Sequence, residues 1–243
     1  MHYVLSVMFF ALIAFPAVAQ EAFEKDSIKT SSGDLEIAFI GHGSLLFKFG
    51  GKIIYVDPFS RLANYTKLPK ADLVLLTHEH PDHLDLAALQ QVRFKDTSIV
   101  LTEKCAETVS GGIIMRNGEV RTVMGIKVET VPAYNVAHKR ENGLPYHLKG
   151  QGSGYVLTFG DKRIYIAGDT ENTPEMKALT KIDVAFLPMN LPYTMTPEMV
   201  ADAVKAFKPK VLYPYHYGET DPSRIVSLLK DNRDCEVRIR KMK

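Results

Sequence analysis

The stretch Thr77-His78-Glu79-His80-Pro81-Asp82-His83 puts three histidines and two carboxylates into the six positions 78–83. The apolar run Ala71 to Leu76 before it reads as a short buried strand. After it, Leu84, Ala87, Ala88, Gln91 and Val92 recur at helical spacing. The cluster therefore belongs to a loop between the C-terminal end of a strand and a helix, where layered α/β proteins bind ligands. Neutral imidazole and carboxylate are the donors that divalent transition metals prefer. Alternate residues of an extended segment share a face, so His78 and His80 can chelate one ion. Asp82 and His83, beyond the redirecting Pro81, can reach a second. The competing reading is a solvated loop in which Asp82 caps the helix.

Outward from this loop, the chain repeats itself. Phe49-Gly50-Gly51-Lys52-Ile53-Ile54-Tyr55-Val56 matches Phe159-Gly160-Asp161-Lys162-Arg163-Ile164-Tyr165-Ile166, and Asp72 to Leu76 matches Asp183 to Leu187. Gly50-Gly51 and Gly160-Asp161 are two-residue hairpin signals. A helix and a strand follow in each half, with Ala87 to Leu101 loosely paired with Val200 to Leu212. Pro197 to Phe207 is predicted helical and Val211 to Tyr215 a strand. Two hairpin–strand–helix–strand units can pack their sheets face to face with helices outside. Glu21 to Asp34 reads as a polar linker or turn, and Cys235 to Arg240 as an alternating edge strand. The repeat sets Met189-Asn190-Leu191-Pro192-Tyr193 where the first half has its histidines. That loop should face the metal cluster, with Asn190, Tyr193 or Thr194 touching substrate.

Further donors lie at strand ends. Asp169, in Ala167-Gly168-Asp169-Thr170, has two oxygens that could bridge two ions, against an Asx-turn alternative. His216, in Tyr215-His216-Tyr217-Gly218, is a ligand candidate for the second ion. The long stretch Pro132 to Gly152 reads as a functional loop. It holds His138 and His147, of which His147 is preferred for the first ion because it sits close before a strand. His42, in Gly41-His42-Gly43-Ser44, is a candidate substrate-side group. Asp57 is a candidate for orienting the ligand loop from behind.

The 243 residues, 46% hydrophobic and 24% charged, suit one large domain. A net charge of +2 without a basic block gives no reason to expect nucleic acid as a partner. Met1 to Ala19 carries no charged side chain, and Ala17-Val18-Ala19 precedes Gln20. This reads as a signal peptide over 1–19, with the functional domain over 20–243. Export to the periplasm or medium follows, with no stable membrane association once the leader is cut. Cys105 and Cys235 define no disulfide framework, and no pattern sets an oligomeric state.

Taken together, His78-x-His80-x-Asp82-His83, Gly168-Asp169-Thr170 and the late His216 resemble the metallo-β-lactamase superfamily in residue order. Gly41-His42-Gly43-Ser44, Tyr55-Val56-Asp57-Pro58 and Pro214-Tyr215-His216-Tyr217-Gly218 look most like its ascorbate-6-phosphate lactonase-like branch. The resemblance implies an α/β fold, a four-layer αββα sandwich with internal duplication. One departure stands out. The family's third motif is usually Pro-Ala-x-His, and Pro132-Ala133-Tyr134-Asn135 puts an asparagine there. Either His147 supplies the missing imidazole or one metal site is weak.

The resemblance implies a metal-dependent hydrolase acting on a small molecule. It would hold one or two divalent ions, zinc first, with manganese or iron as alternatives. A metal-bound hydroxide would attack an ester, lactone or phosphodiester. His78, His80 and His147 would hold the first ion, and Asp82, His83 and His216 the second, with Asp169 between. Asp82 would also orient the nucleophile. His42, Asn190 and Tyr193 would meet substrate. The rivals are a secreted β-lactamase and a non-catalytic exported metal- or ligand-binding protein of the same fold.

Overall fold

The computed structural model describes residues 23–243. The expected signal peptide over 1–19 lies outside the described residues. Seven strands form the first sheet in chain order: β1 (Glu24–Thr30), β2 (Gly33–Gly41), β3 (Ser44–Phe49), β4 (Lys52–Val56), β5 (Leu73–Leu75), β6 (Ser98–Leu101) and β7 (Ile113–Ile114). The second sheet runs β8 (Val120–Val123), β9 (Ile126–Ala133), β10 (Gly152–Phe159), β11 (Lys162–Ile166), β12 (Val184–Pro188), β13 (Val211–Tyr215) and β14 (Glu236–Val237). Helices α1 (Leu86–Val92), α2 (Glu103–Ala106), α3 (Pro174–Lys177), α4 (Pro197–Phe207) and α5 (Ser223–Leu228) connect them.

The two sheets have the same order and the same strand senses. In each, the first four strands pair antiparallel and the next three add in parallel. The duplication seen in the sequence therefore extends to all seven strands of each half. Its local contacts are copied too. Asp72 accepts from the Ile53 amide at 2.7 Å, and Asp183 accepts from the Arg163 amide at 2.9 Å. Each aspartate fixes where a parallel strand joins its hairpin.

Alternation along the strands explains the layers. Leu35, Ile37, Phe39, Ile54, Val56, Leu73 and Leu75 face the second sheet. Ala38, Ile40, Tyr55, Val74 and Leu76 face outward onto Ala88, Leu89 and Val92 of α1. Such two-sided burial is what parallel strands between covering layers require. Aromatic rings join the sheets at the centre: Phe39 lies 5.0 Å from Tyr213, and Phe47 lies 5.9 Å from Phe159, centroid to centroid. On the far side, Val200, Val204 and Phe207 of α4 pack into the same core. Thr196 caps α4 by accepting from the Met199 amide, with Pro197 in its first turn.

Several expectations need correction. Glu24 to Thr30 is an edge strand rather than a linker. It pairs along its whole length with β2, and its polar residues tolerate that position because an edge strand is half solvated. Helix α1 is capped by Asp85, which accepts from the Ala87 and Ala88 amides, so Asp82 is left for the loop. The C-terminal strand is only Glu236–Val237. Strand β7 and helix α3 were too short to leave a periodic signal. Both cysteines are free and buried in different clusters.

A clasp ties the N-terminal strand to the far sheet. Asp26 accepts two bonds from Arg240 Nη2, at 2.8 and 2.7 Å, and one from the Tyr213 hydroxyl. The Arg240 guanidinium also lies over the Phe39 and Tyr213 rings. Burial alone would raise the Asp26 pKa, but Arg240 and Tyr213 hold it below the ordinary carboxylate value. A lowered folded pKa contributes stability above the unfolded pKa, and that contribution fades as pH falls through the folded value. Asp26→Asn should therefore cost about 2 kcal/mol at neutral pH. Urea melts of wild type and variant should converge as pH is lowered from the ordinary carboxylate value through the depressed folded value.

Candidate metal centre

The histidine loop leaves the C-terminal end of β5, and His216 leaves that of β13. Asp169 follows β11, and His42 sits in the turn between β2 and β3. Because the two half-chains share a topology, these ends converge on one edge of the sandwich. Three of the residues there, His42, Asp57 and His216, have positive φ of 50°, 43° and 45°. Such a backbone costs on the order of 1 kcal/mol each and persists only where surroundings fix it. They are fixed: the His216 amide donates to the His42 carbonyl at 3.1 Å, and the Asp57 amide to the Leu75 carbonyl at 3.1 Å.

Two donor clusters flank Asp169, and a third grouping, Asp57 with His78 and His83, shares their histidines. His78, His80 and His147 make one, and His42, Asp82, His83 and His216 the other, each with donor atoms within 4.8 Å of one another. Asp169 stands between them and is buried. Its Oδ2 lies 3.3 Å from His147 Nε2 and 3.8 Å from His78 Nε2. Its Oδ1 lies 3.5 Å from His83 Nε2 and 3.4 Å from His216 Nε2. Each carboxylate oxygen thus faces one cluster. Asp82 Oδ2 lies 3.7 Å from both His83 Nε2 and His216 Nε2, and 3.0 Å from His42 Nε2. The His42 ring also packs against His216 at a 35° tilt, with 3.6 Å between centroids.

The outer nitrogens of three histidines are occupied by oxygens. His83 Nδ1 lies 2.8 Å from Asp57 Oδ2, His78 Nδ1 lies 2.9 Å from Thr77 Oγ1, and His147 Nδ1 lies 2.8 Å from Asn135 Oδ1. Each contact fixes the ring and turns Nε2 inward, the arrangement a metal ligand needs. Asp57 is buried and also accepts from the Thr77 amide at 2.8 Å and the Thr77 hydroxyl at 2.5 Å. Gly43 is required for close approach: a Cβ there would sit 2.7 Å from His83 Cε1.

Asn135 takes no place in either cluster. Its Oδ1 accepts from the amide and Nδ1 of His147, and its Nδ2 donates to Glu171 and to the Tyr193 carbonyl at 2.8 Å. The chain has put the imidazole twelve residues further on and uses the asparagine to aim it. Glu171, which the sequence did not single out, organises this region. Its fully buried carboxylate accepts from the amides of Val136, Ala137 and His138 at 2.6, 2.5 and 2.8 Å. It also holds His138 Nδ1 at 2.6 Å, which keeps His138 out of the centre. The signal available in the sequence was its position two residues after Asp169.

Electrostatics follow from burial and crowding. Burial pushes His78 and His80 below the ordinary histidine value, and neighbouring imidazoles add to this. Burial opposes a charged Asp169, yet His216 and His83 hold its pKa well below normal. For His83, burial also favours the neutral form, but Asp169, Asp57 and Asp82 win and raise it to about 9. Even so, His83 Nε2, His147 Nε2, His216 Nε2 and Asp169 Oδ1 are buried without hydrogen-bond partners. Native proteins seldom leave such atoms unsatisfied unless something else binds there. The donor set and its orphaned atoms fit a pair of divalent ions.

The centre opens into a cleft of about 430 Å³ lined by His80, Asp82, Asp169 and His216 on one side. Asn190, Tyr193, Tyr146 and Arg140 line the other. Thr194 is buried instead, its hydroxyl holding the Asn190 amide at 2.7 Å.

A family model described as a beta-lactamase superfamily domain matches residues 36–216. A UPF0173 metal-dependent hydrolase of Pelotomaculum thermopropionicum is 32% identical over 220 residues, covering 84% of this chain and 96% of that protein. The crystal structure of a protein from Parabacteroides distasonis described as a metal-dependent hydrolase is similar at TM-score 0.87 and 47% identity, covering 91% of this chain and 100% of that one. A metallo hydrolase of Ignicoccus hospitalis shares the fold at TM-score 0.69 and 23% identity, over 84% of this chain and 94% of its own.

Asn135→Ala should remove the aim of His147 and weaken metal binding about 10- to 100-fold. His138→Ala should leave it unchanged. Metal titrations of the two purified variants beside wild type distinguish these outcomes.

Proposed function

The chain belongs to the beta-lactamase superfamily and is a metal-dependent hydrolase; from that premise we propose that it cleaves an ester, lactone or phosphodiester bond in a small molecule. The observation that carries this reading is the set of buried, partnerless donors turned toward Asp169 from both sides. His78, His80 and His147 would hold one ion, and Asp82, His83 and His216 a second. Asp169 would offer one oxygen to each. Mixed imidazole and carboxylate donors favour zinc, with manganese or iron as alternatives.

When bound, the ions supply Lewis acidity, polarising the substrate oxygen and bringing the pKa of a coordinated water toward neutral. The chain's own groups do the rest. Asp82, the most exposed carboxylate of the clusters at 37%, reaches the cleft, where its Oδ2 can accept from the attacking water and orient it. His42, 3.0 Å from that oxygen, fixes its orientation. Asp57 and Asn135 keep His83 and His147 in the right tautomer. Asn190 and Tyr193 form the substrate side of the cleft. The lactone is favoured within this range by the likeness of the His42, Asp57 and His216 motifs to the lactonase-like branch. Export with a mature start near Gln20 belongs to the same proposal, resting on the apolar leader and Ala17-Val18-Ala19.

Wild-type protein should contain divalent metal by elemental analysis and turn over members of a panel of aryl esters, lactones and phosphodiesters. Chelation should abolish turnover and metal re-addition restore it. His80→Ala and Asp169→Ala should lower both metal content and rate by at least about 100-fold. Unchanged turnover in metal-free Asp169→Ala would overturn the proposal. Metal-loaded wild type inert across the panel would mark a binding protein, and nitrocefin turnover would move the substrate to β-lactams. Intact-mass analysis of exported protein should give a chain beginning near Gln20.

A further inference from the structure

The cleft has a second chemical feature at its outer wall. Arg140, Tyr146 and Tyr193 line it together with His147, Asp169 and His216. Arg140 Nη2 donates to the Tyr146 carbonyl at 3.2 Å, and the guanidinium lies over the Tyr146 ring, 5.0 Å from its centre. Tyr146 meets Tyr193 edge to face, with 5.0 Å between centroids. The backbone beneath is a small hairpin: the Arg140 amide donates to the Leu144 carbonyl at 2.8 Å, and Lys139 bridges Pro145. The guanidinium is thus held in place by both the ring and the carbonyl of one residue.

What it lacks is an acid. Among the described residues, no carboxylate lies within ion-pair distance of Arg140, although most other arginines of the fold have one. The neighbouring Lys149 shows the contrast. Its ammonium is taken up by Glu175 at 2.8 Å and by the Tyr134 ring, away from the cleft. A guanidinium stays charged at any physiological pH and presents a planar fork suited to carboxylate or phosphate oxygens. One donor is used by the Tyr146 carbonyl, and the others remain for a ligand.

We propose that Arg140, seated on Tyr146 and Tyr193, is the anchor for an anionic group of the substrate, remote from the bond that is cleaved. The substrate class is then a small ester, lactone or phosphodiester bearing a carboxylate or a phosphate monoester. Its anion sits on Arg140, its body lies against the two tyrosine rings, and its scissile centre reaches the donor clusters. This rests on the hydrolase reading for the chemistry but not for the binding, and the two can fail separately.

The test uses full-length metal-loaded protein and matched probes. Mono-4-nitrophenyl succinate and 4-nitrophenyl butyrate differ chiefly in the remote carboxylate. Wild type should prefer the succinate, and Arg140→Gln should lower that preference in kcat/KM at least tenfold, mainly through KM. Arg140→Lys should lie between. Calorimetry adds a readout independent of turnover, with glutarate as the carboxylate arm and glycerol 2-phosphate as the phosphate arm. Wild type should bind at least one arm tenfold or more tightly than Arg140→Gln, and the arm that responds names the anion. If neither ester is turned over but this difference in binding appears, the anchor stands and an ester is excluded as the bond cleaved. If esters are cleaved while Arg140→Gln keeps both the preference and the affinities of wild type, the anchor is overturned. Arg140 is exposed, so the substitutions do not threaten folding.

Discussion

The centre depends on a single buried carboxylate at the end of β4. Asp57 accepts three bonds: from the Thr77 amide, the Thr77 hydroxyl and His83 Nδ1. Through Thr77 it also sets His78. An ionised carboxylate inside a protein is tolerable only when such donors replace its water. Here those donors belong to the loop that carries the ligand candidates. Satisfying Asp57 and shaping the histidine loop are therefore the same event. Glu171 plays the equivalent part in the second half, where its five donors define residues 135–138 and, through Asn135, the direction of His147. Each half-chain builds its side of the centre around one sunken acid, and Asp169 joins the two sides.

The same economy leaves a deficit. Orienting three imidazoles by their outer nitrogens leaves their inner nitrogens facing Asp169. The buried Nε2 atoms of His83 and His147 are left partnerless as a result, and His216 is partnerless at both ring nitrogens. A folded chain without cations must either carry protons there or leave donors unsatisfied, and the acids around His83 favour its charged form. Divalent metal bound among the donors would take up the inward-facing atoms in place of protons. Binding free energy at such a centre is in part folding free energy.

Much of this was legible in the sequence because it is local. The His78–His83 spacing, the strand ends before Asp169 and His216, and the two glycine hairpins each occupy fewer than ten residues, and each has its own periodic or turn signal. The duplication was visible only where the residues had stayed alike. Strands β1, β2, β8 and β9 repeat as a topology, with no matching residues, so only backbone pairing reveals that they are counterparts. Strand β1 read as linker because its side chains are polar, although its amides are fully paired with β2. The role of Asn135 was hidden for a related reason. As an isolated letter it is a poor ligand. Its function is a pair of hydrogen bonds to a residue twelve positions away, and nothing in the spacing encodes those.

The two halves have kept a common frame and divided the work along it. At the same strand ends, the first half carries His78 and the second carries Met189, followed by the Asn190–Tyr193 loop. Imidazoles clamped by Asp57 cannot shift without breaking buried bonds, so the first half is the rigid partner. The second half faces the cleft through Asn190 and Tyr193, the latter 45% exposed, against Arg140 and Tyr146 of the hairpin. Exposed apolar and aromatic side chains around a cleft supply contact area that can be exchanged without disturbing the core. Substitutions there can alter which molecule is admitted, while the donor clusters behind remain fixed by the acids that shape them. A duplicated sandwich thus separates the chemistry, which tolerates almost no movement, from recognition, which can drift.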